Sequence, residues 1–124
     1  MRSTVYIAGP YAAATPELIE QNVQRAQRLG RFAVAQGLAP IVPHTLGASG
    51  LYGSPTEQDD GTSRRVALEC SEALASRCDC FMVILRDDRT LSSGCAREEA
   101  AWNAQPRPGF YEARTWAEWL EVME

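Results

Sequence analysis

The chain contains no lysine, and all 12 of its basic residues are arginine. The lack of lysine excludes Schiff-base catalysis and lysine-dependent phosphate binding, and it leaves arginine for any contact with an anion. The arginines are outnumbered by 16 aspartates and glutamates, which gives a net charge of −4. Because a protein that neutralises a nucleic-acid backbone carries a basic excess, we expect no nucleic-acid polymer among the partners.

Long apolar runs are also missing. No run approaches the roughly 18 residues of a membrane span, and MRSTVYIAGP at the start lacks the long apolar core of a signal peptide. We therefore expect a cytoplasmic protein with no membrane partner. A length of 124 residues with 45% hydrophobic content predicts a single domain over residues 1–124.

Metal ligands are scarce, because the chain has one histidine and four cysteines without a Cys-x-x-Cys spacing. We expect buried free thiols, no metal and no organic cofactor. A thiol redox or metal protein built on Cys78 and Cys80 is an alternative. It requires depressed thiol pKa values, and the only basic residue close to them in sequence is Arg77.

Short apolar runs alternate with segments of helical spacing. STVYIAG and CFMVILR each predict a buried strand, and LAPIVPH between them predicts a second, short strand. Between STVYIAG and LAPIVPH, Thr15 and Pro16 predict an N-cap and the first helical position. Strands that alternate with helices predict an α/β fold, in which a parallel sheet of four to five strands is covered by helices on both faces.

The later part of the chain predicts further elements. TLGASGLYGSPTEQDDGTS has no sustained period and predicts a long functional or disordered loop, followed by a helix from about Ser63. A last short strand is predicted at Phe110 and Tyr111. After it, Thr115 and Glu118 have the spacing of a capping box at the start of a final helix.

Ligands of such sheets bind at the carboxyl ends of the strands. This rule predicts one crevice lined by Gly9, Pro10 and Tyr11 after the first strand, by His44 after the second, and by LSSG after the third. Ser92, Ser93 and Gly94 supply hydroxyls and free N–H groups at a helix start, which favours an anion such as a phosphate. The alternative is that a serine is merely the N-cap.

Two adjacent glutamates follow in this helix, and neighbouring residues on a helix point about 100° apart. Glu98 has the more apolar helical neighbours, so we expect it to face a partly apolar pocket, where a carboxylate is poorly solvated and reactive. A solvated surface glutamate is the alternative. Tyr6 either orients a carboxylate or belongs to the ordinary core, and His44 either acts on a ligand or caps the loop.

Four segments together, VYIAGPY, APIVPH, CDCFMVIL and the S-x-G-x-x-x-E pattern from Ser92 to Glu98, resemble the nucleoside 2-deoxyribosyltransferase-like superfamily. That superfamily includes the 2'-deoxynucleoside 5'-phosphate N-hydrolases and small phage or bacterial relatives. The likeness spans about residues 4 to 104. It implies a flavodoxin-like, Rossmann-like sheet, a nucleoside or nucleoside 5'-monophosphate as the small-molecule partner, and a homodimer or higher homo-oligomer.

The resemblance also implies residue roles. Glu98 matches the nucleophile that attacks the anomeric carbon, and Tyr6 matches the tyrosine that steadies it. The loop from Gly9 to Tyr11 matches the segment that lines the sugar. Ser92 matches the serine that holds the 5'-phosphate in the nucleotide hydrolases, and His44 belongs to the Pro-His signature of the smaller relatives.

The chain departs from the family pattern in its acids. Related enzymes often carry an aspartate eight residues before the aspartate of the third strand, where it assists the leaving base, and here that position is Ser71. Asp59 or Asp60 of the long loop is a possible substitute, and Arg64 and Arg65 are possible anion contacts. Two functions stay open: an N-glycosidase, either hydrolase or transferase, and a nucleotide sensor that binds without turnover.

Overall fold

The computed structural model describes residues 1–48, 62–106 and 109–124. These residues form four strands and five helices. In chain order they are β1 (Thr4–Ala8), α1 (Pro16–Ala35), β2 (Ala39–Ile41), α2 (Pro43–Ala48), α3 (Thr62–Ala75), β3 (Cys80–Leu85), α4 (Ser93–Asn103), β4 (Tyr111–Thr115) and α5 (Trp116–Met123).

The four strands form one parallel sheet in the order β2-β1-β3-β4. Tyr6 at the centre of β1 is level with Ile41 of β2 on one side and with Phe81 of β3 on the other. All six residues of β3 are buried, as expected for a central strand whose two faces are both covered. The predicted flavodoxin-like α/β fold is confirmed, with four strands.

Side-chain alternation along β1 divides the core into two layers. Val5 and Ile7 pack toward α1 and α5, in a cluster that contains the fully buried Leu29 and Trp119. Tyr6 lies in the opposite layer, where the helices are α3 and α4. That cluster is built from nine buried residues, Tyr6, Ala8, Ala75, Cys78, Phe81, Val83, Leu85, Cys95 and Trp102.

Indole groups fasten a helix to each face of the sheet. Trp119 of α5 is fully buried and its Nε1–H donates to the Val83 carbonyl at 3.0 Å. Trp102 of α4 donates in the same way to the Cys78 carbonyl at 3.1 Å. Burying a large apolar side chain contributes roughly 2–3 kcal/mol, and the hydrogen bond removes the penalty of an unpaired indole N–H.

The caps predicted from the sequence are confirmed. Thr15 accepts from the Leu18 N–H, with Pro16 in the first helical position of α1. At the start of α5, Thr115 and Glu118 form the reciprocal capping box. Such caps satisfy backbone N–H groups that have no partner within the helix, typically for about 1 kcal/mol each.

Two elements differ from the sequence prediction. The sequence predicts a strand end and a loop at residues 43–48, but Pro43–Ala48 forms the short helix α2. Pro43 starts a helical turn as readily as it stops a strand. The last strand, β4, begins at Tyr111, one residue after the predicted Phe110, and extends to Thr115, from which the chain runs directly into α5. The remainder of the predicted long loop, residues 49–61, lies outside the described residues.

The strand order places a topological switch point between β1 and β3. From β1 the chain continues through α1 to β2 on one side, and from β3 it continues through α4 to β4 on the other. Connections that diverge in this way leave a crevice at the carboxyl ends of the two strands, where ligands of such sheets bind. Within the described ranges, no helix is long and apolar enough to cross a membrane.

Candidate active site

The two adjacent glutamates of α4 lie in different environments. Glu98 is buried, with 7% of its surface exposed, and its carboxylate points into the layer between α4 and the sheet. Glu99 is partly exposed and its carboxylate accepts a hydrogen bond from the Tyr111 hydroxyl. The helix therefore directs one carboxylate inward and leaves its neighbour near the solvent.

Tyr6 and Glu98 form a buried pair. The Tyr6 hydroxyl donates to Glu98 Oε2, across 92 positions of the sequence. The Tyr6 ring is fully buried and stacks on Phe81, with ring centroids 5.7 Å apart. Since the ring is held by the sheet and the carboxylate by α4, the packing of these two elements fixes the position of the acid.

Burial controls the protonation of this pair. Desolvation raises the pKa of Glu98 from its ordinary value of 4.5 to about 7, against the Tyr6 hydrogen bond, which lowers it. The nearby negative charge of Glu72 raises it further. The pKa of Tyr6 is also raised, mainly by desolvation and then by the charge of Glu98, so the phenol keeps its proton. The carboxyl group consequently titrates near neutral pH.

Ser71 of α3 completes a short chain of hydrogen bonds. Its hydroxyl donates to the Tyr6 oxygen, which opposes the rise in the pKa of Tyr6. The adjacent Glu72 forms an ion pair with Arg97 of α4. Ser71 stands where the pattern of the nucleoside 2-deoxyribosyltransferase-like superfamily has an aspartate. It reaches the pair of Tyr6 and Glu98, although it supplies a hydroxyl and no charge. This contact could not be predicted from the sequence, because it joins residues of α3 and β1 that lie far apart in the chain.

Cys95 lies one turn before Glu98. The thiol is buried and free, and desolvation raises its pKa to about 12. A thiol that stays protonated is a poor nucleophile. Cys78 and Cys80 are also buried, and Cys70 is partly buried. Among the described residues, no group of three or more histidine, cysteine and acidic side chains is arranged to hold a metal ion.

A second contact joins the loop after β1 to α2. His44 Nε2 lies 3.1 Å from the Pro10 carbonyl oxygen, and the Tyr11 ring meets the imidazole edge-on at 5.7 Å. Desolvation lowers the pKa of His44 and thus favours the neutral ring. A carbonyl only accepts, so Nε2 carries the proton and Nδ1 has the free lone pair. Nδ1 is buried, and none of the described residues bonds to it.

The SSG segment is placed at the start of α4. Ser92 is the N-cap and its Oγ accepts from the Cys95 N–H at 3.2 Å, whereas Ser93 is exposed. A Cβ added to Gly94 would lie 4.0 Å from Glu98 Oε1, so Gly94 leaves space beside that oxygen. The N-cap alternative for Ser92 is therefore observed. A phosphate contact of the same serine remains a prediction.

The structure thus brings the predicted residues together in two groups. One contains Tyr6, Glu98 and Gly94, and the other contains Pro10, Tyr11 and His44. No hydrogen bond between the described residues joins the two groups. Gly9 is buried next to Ile84.

Of the further residues that the sequence offered, the two described ones, Arg64 and Arg65, enter neither group. Arg64 and Arg65 are exposed on α3. The predicted acids Asp59 and Asp60 lie outside the described residues.

Comparison with known proteins yields one family. A family model described as a domain of unknown function (DUF7768) matches residues 3–109, which is well over half of the chain. No curated protein matches the chain. The matched range contains both groups of candidate residues and ends before β4, so the candidate site lies within the family domain.

Proposed function

The chain belongs to the DUF7768 family, and we propose that it is an N-glycosidase, a hydrolase or transferase that cleaves the base–sugar bond of a nucleoside or nucleoside 5'-monophosphate. The observation that carries the proposal is the buried Glu98 carboxylate, held by the Tyr6 hydroxyl and titrating near neutral pH. The resemblance of the sequence to the nucleoside 2-deoxyribosyltransferase-like superfamily supports the same assignment.

Cleavage of an N-glycosidic bond makes the sugar cationic at its anomeric carbon, and a carboxylate stabilises and then traps this charge. In the first step, Glu98 forms an ester bond to the anomeric carbon while the carbon–nitrogen bond breaks and its electron pair leaves with the base. In the second step, water or another base attacks that carbon and Glu98 departs as a carboxylate. Hydrolysis then yields the free sugar and a proton, which neutralises the base that left with the electron pair in the first step.

The two oxygens of Glu98 have different surroundings that suit this mechanism. Oε2 accepts from Tyr6, which fixes the carboxylate and leaves Oε1 as the attacking oxygen. Gly94 has no side chain to cover Oε1. Desolvation raises the energy of the ionised carboxylate and increases its reactivity, and the single Tyr6 hydrogen bond compensates only part of this cost.

Ser71 favours a second candidate function, a nucleotide sensor that binds without turnover. Its hydroxyl bonds to Tyr6 at the position where related enzymes have an aspartate that assists the leaving base. A hydroxyl is a far weaker acid than a carboxyl group. If no other acid protonates the base, the pocket binds its ligand and does not cleave it.

The experiment that separates these functions is release of free base from a panel of nucleosides and 5'-monophosphates, ribo and deoxy. The wild type is compared with Glu98→Gln, which keeps the shape of the side chain, and with Glu99→Gln, the same change one residue later. The glycosidase predicts activity in the wild type and Glu99→Gln, with a loss of at least about a hundredfold in Glu98→Gln.

Thermal stability of the same three proteins, measured with each ligand, identifies the sensor. A ligand that raises the melting temperature without any base release supports the sensor and contradicts the glycosidase. Equal base release by the wild type and Glu98→Gln would overturn the role of Glu98.

The proposal includes a cytoplasmic homodimer. It rests on the family resemblance, in which relatives pair and complete each other's sites, and on the size of the chain. Phe110 and Tyr111, about 40% exposed on the edge strand β4 or just before it, are candidates for the contact surface. Sedimentation equilibrium of the full chain tests it, and a monomer at working concentrations contradicts it.

A further inference from the structure

A cavity of about 220 Å³ lies at the switch point between β1 and β3, on the side of α1. Its walls are Pro10 after β1, Asn22 and Arg25 of α1, and the segment from Ile84 to Asp87 at the end of β3. Neither Tyr6 nor Glu98 lines it. The acid pair lies in the layer of α3 and α4, so this cavity is a separate feature of the same sheet.

Two arginines line the cavity, and neither forms an ion pair with a described carboxylate. The ion pairs among the described residues use Arg89, Arg97 and Arg114. Within the described ranges, no direct ion pair therefore occupies the guanidinium groups of Arg25 and Arg86. In a chain without lysine, guanidinium groups are the only permanent cations on side chains, and their planar donors match the oxygens of phosphate.

The Arg25 side chain and the Arg86 backbone are both held in place by contacts within the chain. The Arg25 guanidinium lies over the Trp116 ring, 5.4 Å from its centroid. The backbone of Arg86 is fixed by a tight turn, in which its N–H donates to the Thr90 carbonyl at 2.9 Å and its carbonyl accepts from the Arg89 N–H at 2.8 Å. A site that is already in place loses less entropy when it binds.

The other residues that line the cavity indicate which chemical group accompanies the anion in the ligand. Asp87 carries a carboxylate at the mouth of the cavity, and Asn22 carries an amide whose Nδ2 already donates to the Tyr11 carbonyl at 3.1 Å. The carboxylate oxygens and the amide oxygen accept hydrogen bonds, which suits hydroxyl donors. Ile84, Leu85 and Pro10 provide apolar contact.

We infer that this cavity binds the phosphate ester of a small hydroxylated molecule, with the phosphate on Arg25 and Arg86 and a hydroxyl on Asp87. The inference goes beyond the proposed function, since it needs no chemistry at Glu98. It assigns a binding role to residues of α1 and of the turn after β3.

The test measures binding to the full chain by calorimetry, with ribose 5-phosphate, inorganic phosphate and ribose as probes. The wild type is compared with Arg25→Gln, Arg86→Gln and Arg28→Gln. Arg28 is exposed on the same helix and does not line the cavity, so its substitution makes the same charge change elsewhere. Arg86→Gln changes an exposed side chain and leaves folding intact, and Arg25→Lys restores the charge over Trp116.

Ribose 5-phosphate should bind the wild type and Arg28→Gln equally, more tightly than inorganic phosphate, and ribose should not bind measurably. Losing one charge-assisted contact should raise the Kd of ribose 5-phosphate at least about tenfold in Arg25→Gln and in Arg86→Gln. The inference fails if neither phosphate compound binds, or if Arg28→Gln weakens binding as much as Arg86→Gln. Equal affinity for inorganic phosphate and ribose 5-phosphate overturns the assignment of a hydroxylated ester. Ribose 5-phosphate is also the sugar product that hydrolysis of a ribonucleoside 5'-monophosphate would release, so the loss of binding in Arg25→Gln and Arg86→Gln is what assigns it to this cavity. Unchanged binding in both variants places the probe elsewhere and overturns the inference.

Discussion

Replacing Glu98 by glutamine should change how the free energy of unfolding depends on pH. The carboxyl group has a pKa of about 7 in the folded chain, against an ordinary value of 4.5. A carboxyl whose folded pKa is raised stabilises the fold fully below the unfolded pKa, and this contribution is lost as pH rises through the folded pKa. The relevant window for Glu98 therefore extends from about pH 4.5 to about pH 7.

The size of the effect follows from the shift. Each pKa unit corresponds to about 1.4 kcal/mol, so ionising the buried group should cost the wild type roughly 2–3 kcal/mol between about pH 5 and about pH 8. Glutamine has no such titration and still offers a carbonyl oxygen to the Tyr6 hydroxyl. Any fixed cost of burying its amide is the same at both pH values and does not affect the slope.

Urea unfolding of wild type, Glu98→Gln and Glu99→Gln at these two pH values measures the effect. Glu98→Gln should gain stability relative to the wild type as pH rises, and Glu99→Gln controls for the same chemical change at a partly exposed position. Equal pH slopes for the wild type and Glu98→Gln would refute the reasoning, since they require a carboxyl group that is well solvated in the folded state.

Two further substitutions test the site and the sheet. Tyr6→Phe removes the hydrogen bond that lowers the pKa of Glu98, so this pKa should rise. A nuclear magnetic resonance titration that follows the Glu98 carboxyl carbon should therefore show its midpoint at higher pH than in the wild type. An unchanged midpoint would show that the bond is not formed. Gly109→Ala places a Cβ in steric overlap with the Asp79 carbonyl group, so it should reduce the free energy of unfolding by roughly 3 kcal/mol or more in urea denaturation. Gly94→Ala is its control, since that Cβ meets nothing closer than 3.8 Å, and a comparable loss there would contradict the steric argument.

The sequence predicted the elements whose signals are local. Thr15 with Pro16, and Thr115 with Glu118, are capping patterns contained within a few residues, and both caps were found. The helix α2 was missed because PHTLGA is too short to show a helical period. Most of β4 was missed because YEART has no buried alternation, with only Thr115 fully inside.

The candidate site depends on register, which no local pattern contains. The helical neighbours of Glu98 predicted that it faces inward, but they did not identify what it meets. That partner is Tyr6, because α4 packs on the face of the sheet to which the even-numbered residues of β1 point. A shift of one residue in β1 would direct Tyr6 to α1 and leave the carboxylate without its donor.

Ser71 shows how a departure from a family pattern acquires a physical meaning. From the sequence it was a missing acid. In the structure its hydroxyl bonds to Tyr6, which donates to Glu98, so the side chain acts through Tyr6 on the Glu98 carboxylate. An aspartate there would face the Glu98 carboxylate across Tyr6, and repulsion between like charges would raise the pKa of Glu98 above about 7. Serine therefore keeps Glu98 more ionised at neutral pH than an aspartate would.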